Sequence, residues 1–306
     1  ARFANPREVV VGDVTVRARR FVIAAGSRAV VPDIPGLGTV AYMTNETLFA
    51  QVARPGHLLI LGGGPIGIEM AQAHRRLGAG VTVIEAGRCL GREDPDAAAV
   101  VLERLRAEGV GFAEGAGAVR VRDLAPGVEV VLSDGRTVSG THLLVAVGRK
   151  AALERLDLAA GGVDVTAGGV SVGNGLRSVS NRRVYAVGDA VGQGQFTHLA
   201  AYHAGLVVRQ AVLGAPARQR EGHIPRVTFA DPELAQVGPT EDEARKLHGD
   251  ALRVLRADLA HNDRAITAGH TEGFAKLMVV RGRVVGATVV GAEAGEVIAV
   301  LAVAVS

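Results

Sequence analysis

The run His57-Leu58-Leu59-Ile60-Leu61-Gly62-Gly63-Gly64-Pro65-Ile66-Gly67, with a second apolar run Val81–Glu85 after it, decides the fold of this chain. His57–Leu61 is apolar without alternation, as a strand buried on both faces requires. Three glycines break it, a helical pattern continues to about Leu77, and Val81–Glu85 reads as the next strand, so the whole is a βαβ unit. In the pattern G-x-G-x-x-G, Gly62 permits the tight turn and Gly64 lets backbone N–H groups approach a pyrophosphate at the positive helix end. Gly67 lets helix and strand pack closely, while Gly63, Pro65 and Ile66 complete the loop. Glu85, at the end of the second strand, is placed to accept hydrogen bonds from adenosine ribose hydroxyls and to repel a 2′-phosphate. The unit therefore reads as an NAD(H) site. A glycine turn that merely joins strand to helix is the plain alternative, and the position of Glu85 argues against it. Arg88 and Arg92, past the strand end, keep NADPH as the rival nucleotide.

Outward from this unit the pattern stays α/β. Thr44–Val52 reads as a helical segment before the first strand. A helix near Asp96–Glu108, a strand near Val110–Phe112, a hairpin about Asp134-Gly135 and a strand Leu143–Val147 follow the βαβ unit. Toward the front, Glu8–Val11 and Val14–Ala18 flank the turn dipeptide Gly12-Asp13, Phe21–Ala24 makes a short strand, and the proline-rich run Val31–Gly36 suits a domain crossover. Toward the rear, strand Val184–Val187 ends in Gly188-Asp189 and precedes a helix from Thr197 to about Leu213. Runs 226–229, 252–258, 274–280 and 283–290 then read as antiparallel strands, with a capping box Thr240 to Glu243 opening a helix and an apolar helix Val297–Val305 at the end.

Composition narrows the function classes. The chain has 306 residues and 48% hydrophobic content, enough to bury a core and divide into two or three domains. Its pI of 9.4 hides a near balance of 34 basic and 31 acidic residues, and only 3% are aromatic, so no basic patch or stacking platform for nucleic acid is expected. No run approaches ~20 consecutive apolar residues, so the chain is read as soluble, with no membrane partner, and cytoplasmic. Cys89 is the single cysteine, which precludes an internal disulfide, a CxxC pair or a thiolate metal site within these residues; it is read as a small residue in a βα connection, and no metal is expected.

Five further stretches, in order, give the chain a resemblance to a known family. Phe21-Val22-Ile23-Ala24-Ala25-Gly26-Ser27, Val184–Asp189, Phe196-Thr197-His198-Leu199-Ala200, Asp231-Pro232-Glu233 through Gly238, and Asn262-Asp263-Arg264-Ala265 resemble the class I pyridine nucleotide-disulfide oxidoreductases, the family of dihydrolipoamide dehydrogenase and mercuric reductase. The resemblance covers essentially the whole chain. It implies a Rossmann-like NAD-binding domain (45–149) inserted in a partial FAD-binding domain (1–44 and 150–222), followed by an α+β dimerisation domain (223–306). It implies FAD contacts at Ala25, Gly26, Ser27, Arg149, Gly188, Asp189, Phe196, Thr197 and His198, with Asp189 on the ribityl chain and the Thr197 helix aimed at the flavin edge. Val119 and Gly148 join the NAD contacts, and Glu69 matches a glutamate that pairs with a lysine beside the hydride path, a lysine not found in this chain. His198 is expected to lend its backbone rather than its imidazole.

The resemblance also implies an activity: hydride passes from NADH to FAD and on to a disulfide or related small acceptor, in a homodimer. The family's N-terminal glycine turn with its CxxxxC pair, and its C-terminal HxxxxE pair, are expected to lie outside Ala1–Ser306, so the fragment alone is expected to be inactive. Ala25 stands where threonine is usual. Pro65 stands where several members carry a gating tyrosine, and the Gly-Pro-Ile-Gly form together with Ala201-Tyr202-His203-Ala204 favours mercuric reductase-like or uncharacterised relatives over glutathione reductase. An NADH:quinone or dioxygen flavin reductase without a cysteine pair, and a non-catalytic dinucleotide-binding module, are the alternatives.

Overall fold

The computed structural model describes residues 1–220 and 222–305. Its contacts divide the chain into two compact units, one of Ala1–Ala29 with Arg149–Glu221 and one of Val30–Gly148 with Gly222–Ser306.

In the second of these units, four parallel strands lie in the order His142–Val145, His57–Leu61, Gly80–Glu85, Gly111–Glu114. Successive side chains of a strand point to opposite faces, so the unbroken apolar run after His57 serves two layers at once. Leu58 and Ile60 meet Ile68 and Ala71 of helix α1 (Pro65–Arg76) and Val101 and Leu105 of helix α2 (Pro95–Ala107). Leu59 and Leu61 instead meet Val121, Val128 and Val130 of a three-stranded antiparallel sheet formed by Ala118–Leu124, Gly127–Leu132 and Thr137–Gly140. Asp94 caps α2 through the N–H groups of Asp96 and Ala97, and Pro95 fills the first helical position, where a missing donor costs nothing.

The unit containing the N-terminus carries an antiparallel meander, Arg2–Asn5, Glu8–Val11 and Val14–Arg17, and two short pairings that set its chemistry. Phe21–Ile23 runs parallel to Val184–Ala186, and Ser27–Ala29 runs antiparallel to Arg149–Ala151. Helix α3 (Thr197–Ala211) buries Leu199, His203 and Val207 at four-residue spacing, one face of a helix.

The rear segment, which belongs to the unit of the four-stranded sheet, forms a five-stranded antiparallel sheet in the order Arg226–Thr228, Glu233–Val237, Arg283–Gly291, Phe274–Val280, Leu252–Asp258. Helix α4 (Glu241–His248) opens with the anticipated capping box of Thr240 and Glu243, α5 (Asp263–Ala268) is capped by Asn262, and α6 (Ala294–Val305) packs Ala294 and Ile298 on the sheet. Strands Arg2–Asn5 and Glu233–Val237 were not anticipated. The expected helix at Thr44–Val52 is instead a series of turns with a single 3-10 turn, Leu48–Ala50. Among the described residues no helix is long and apolar enough to cross a membrane.

Candidate nucleotide and flavin sites

The glycine turn between the strand His57–Leu61 and α1 is built from glycines that do different jobs. Gly62 has φ +106°, and a side chain there would stand 2.5 Å from the Ala146 carbonyl oxygen. At Gly67 a Cβ would lie 2.0 Å from the Gly62 carbonyl oxygen, which is the close approach of helix to strand that the sequence pattern implies. Gly64 is the opposite case: nothing stands within 4 Å of a Cβ there, so this face of the turn is open. No side chain caps α1 at Gly64, and the first turn of the helix presents its N–H groups and positive dipole end to whatever occupies that space.

Glu85 is held behind the turn. Its Oε2 accepts from the Gly63 N–H and its Oε1 from the Gly87 N–H, both at 2.8 Å. Each carboxylate oxygen has a second acceptor site, so the fixed carboxylate still has capacity for ribose hydroxyls. Cys89 is buried beneath Gly63, where a Cβ would meet its Sγ at 2.4 Å. Burial and then the Glu114 carboxylate push its thiol far up, so it packs as a neutral apolar group, as expected of it. Arg88 lines a cavity of about 480 Å³ together with Gly87, Arg106 and Glu114; Arg92 does not line it.

In the other unit, the pairing of Phe21–Ile23 with Val184–Ala186 brings Gly26-Ser27 and Gly188-Asp189 to the carboxyl ends of adjacent parallel strands, where ligands of open α/β sheets bind. The Ser27 hydroxyl donates to Asp189 Oδ2 at 2.5 Å and accepts from Arg149 Nε at 2.8 Å, while Arg149 Nη2 donates to the Ser27 carbonyl at 2.9 Å. Three residues that the sequence reading named separately are thus one network. Thr197 begins α3 with no side-chain cap at Phe196, leaving the helix N-terminus bare, and the His198 ring stacks on Phe196 with centroids 5.4 Å apart.

Residues 1–204 match the pyridine nucleotide-disulphide oxidoreductase family and residues 224–306 match its dimerisation domain. The chain belongs to this family. A mercuric reductase of Bacillus cereus is 33% identical over 304 residues, covering 97% of this chain and 48% of the relative. A dihydrolipoyl dehydrogenase of Thermus scotoductus is 34% identical over 307 residues, covering 98% and 66%. The solved structure of the HOCl-induced flavoprotein disulfide reductase RclA from Escherichia coli superposes with TM-score 0.90 at 30% identity, over 99% of this chain and 71% of that one. The chain spans about half to two thirds of the length of these curated relatives. Members of the family bind FAD and a pyridine nucleotide.

For this family member the structure adds partners that no spacing revealed. Glu69 Oε1 accepts from the Phe229 N–H at 2.9 Å, and burial raises its pKa against the lowering effect of that bond. The carboxylate expected beside the hydride path is therefore tied to the rear segment. Gly148 (φ +131°) ends the unit of the four-stranded sheet, with its carbonyl accepting from the Val30 N–H at 2.9 Å, and Val119 lies exposed on the three-stranded sheet. His203 was missed. It is fully buried and its Nδ1 accepts from the Gly188 N–H at 3.1 Å, so it supports the turn that carries Asp189. Burial lowers its pKa, in keeping with a neutral ring that can accept. The available signal was a histidine at the centre of the apolar stripe Leu199, His203, Val207.

Proposed function

We propose that this chain provides the nucleotide- and flavin-binding framework of an NADH-dependent oxidoreductase. In the whole protein, hydride passes from NADH to FAD and the electrons go on to a disulfide or related acceptor. The observation that supports this best is the open face at Gly64 over an uncapped helix, with Glu85 fixed directly behind it. An anion fits the open face, and a free ribose fits the carboxylate. FAD, when bound, supplies the hydride acceptor. The residues placed to hold it are Asp189, for the ribityl hydroxyls, Ser27 and Arg149, which orient that carboxylate, and the N-terminus of α3, whose dipole favours negative charge. The reading includes a homodimer built on the rear segment and a cytoplasmic location.

Calorimetric titration with both nucleotides tests it. NADH is expected to bind more tightly than NADPH, and Glu85→Ala to narrow the gap by ~1–3 kcal/mol, the scale of a hydrogen bond to a charged group. Equal or reversed affinities would overturn the preference and credit Arg88 and Arg92 with a 2′-phosphate contact.

A further inference from the structure

Lys276 is a lysine almost without exposure, on the strand Phe274–Val280 that lies second from one edge of the five-stranded sheet, and its Nζ is surrounded by carboxylates. It donates to Asp94 Oδ2 at 2.9 Å and Oδ1 at 3.1 Å, to Asp96 Oδ2 at 2.9 Å, and sits 2.9 Å from Glu241 Oε2. Burial alone pulls a lysine's pKa down, yet the hydrogen bonds it donates to Glu241, Asp94 and Asp96 hold this one above the ordinary range, so the ammonium form is favoured at neutral pH. A buried ion pair is weak evidence for stability, because desolvation offsets most of the attraction. Its geometry calls for another explanation.

Asp94 supplies one. It is fully buried, it caps α2, and it ends the short segment that begins at Arg88 just beyond Glu85. That segment is tightly folded, with the Glu93 N–H on the Leu90 carbonyl at 2.9 Å and the Gly91 N–H on the Arg88 carbonyl at 3.1 Å. Leu90 adopts φ +51°, a left-handed conformation that a branched side chain keeps only when its surroundings impose it. Its N–H donates to the Gly63 carbonyl at 2.8 Å, and Cys89 beside it packs under Gly63. Glu93 is anchored as well, through Arg226 at 3.1 Å. A continuous line of short contacts thus runs from the rear sheet, through two adjacent carboxylates, to the floor of the nucleotide turn.

We propose that Lys276 is a positioning residue for nucleotide binding, fixing through Asp94 the segment 88–94 on which Gly63 rests. This builds on the reading of Gly62–Gly67 as the NADH site. A rear sheet that carries the family's dimerisation domain would then influence the nucleotide turn directly.

The test is calorimetric titration of NADH into the whole chain, well below its melting temperature, for wild type, Lys276→Met and Asp94→Asn. Asparagine keeps the cap on α2 but removes the charge that faces Lys276. Both variants are expected to lose NADH affinity by roughly three- to tenfold, the usual range for a contact that modulates a distant site. Faster amide exchange at Leu90 and Gly63 should accompany the loss. Asn262→Ala, which removes the α5 cap and touches none of these contacts, should lower the melting temperature and leave NADH affinity unchanged. If Lys276→Met fails to fold, Asp94→Asn alone decides. Wild-type affinity and exchange in the folded variants would overturn the proposal while leaving the NADH site intact. Absence of NADH binding in wild type would overturn the site reading and this proposal together.

Discussion

Gly64 and Gly67 make the sharpest residue-level test, because one alanine in each position separates binding from folding. Gly64→Ala adds a methyl to open space, so the fold should melt as wild type while nucleotide affinity falls, since the methyl takes the volume that a pyrophosphate oxygen would approach. Gly67→Ala places a methyl 2.0 Å from a backbone oxygen that cannot swing aside, and should destabilise by about 3 kcal/mol, the upper end for overpacking. Thermal melts and NADH titrations of the two variants check this, and a melting defect at Gly64 would show that the turn is closed rather than open. The tight turn at Gly62 and the close packing at Gly67 were legible in the sequence because a G-x-G-x-x-G between strand and helix restricts the backbone so strongly. The partners of the same residues were not legible. That Gly63 rests on Cys89, or that Ser27 joins Asp189 to Arg149, depends on segments brought together by folding, and spacing along the chain carries no record of it.

Among the elements, the strand His57–Leu61 and both helices of the βαβ region could be read to within a residue or two, since a buried strand and an amphipathic helix impose their periods on long runs. Thr44–Val52 could not. Its Thr44 and Thr47 hydrogen-bond locally, Thr47 Oγ1 accepting from the Thr44 N–H at 3.0 Å, and such side chains offer the backbone an alternative to the helix. Strand Glu233–Val237 escaped notice because its register puts Gln236 in the core, bonded to Thr288, where the alternating pattern calls for an apolar side chain. Helix α1 also carries a polar stripe that its sequence does not explain by itself. Gln72 accepts from the Asp231 N–H and donates to its carbonyl, both at 2.7 Å, and Arg76 bridges Glu108 and Asp231. The Arg76 hydrogen bond holds the Glu108 carboxyl below the usual carboxylate range, against the raising effect of burial. A depressed folded pKa gives stability that is present above the unfolded value and lost as pH falls through the folded one. Glu108→Gln should therefore lower stability by about 1 kcal/mol at neutral pH, and the difference from wild type should shrink in acid, as pH falls through the folded value. Melting curves at neutral and acid pH decide it, and a deficit that persists in acid would assign the loss to packing.

At the scale of the whole molecule, the open question is what covers α6. Its inner face buries Ala294 and Ile298 on the rear sheet, and its outer face presents Val297, Val300 and Val303, the last two 74% and 75% exposed. Three valines spaced three residues apart form a single apolar stripe, and a contiguous stripe of this kind marks an interaction surface rather than a solvated one. The segment that carries it matches the family's dimerisation domain, which favours a second copy of the chain as the occupant. A two-fold interface places the same patch on both partners, so each substitution acts twice. The chain should accordingly self-associate at micromolar concentration by light scattering, with Val300→Asp together with Val303→Lys shifting it to monomer without loss of helix content. These positions are exposed in the isolated chain, so the charges should not disturb its core. A wild-type chain that stays monomeric across that concentration range would mean that α6 alone does not hold two copies together, and that the contacts setting the affinity lie elsewhere in the protein.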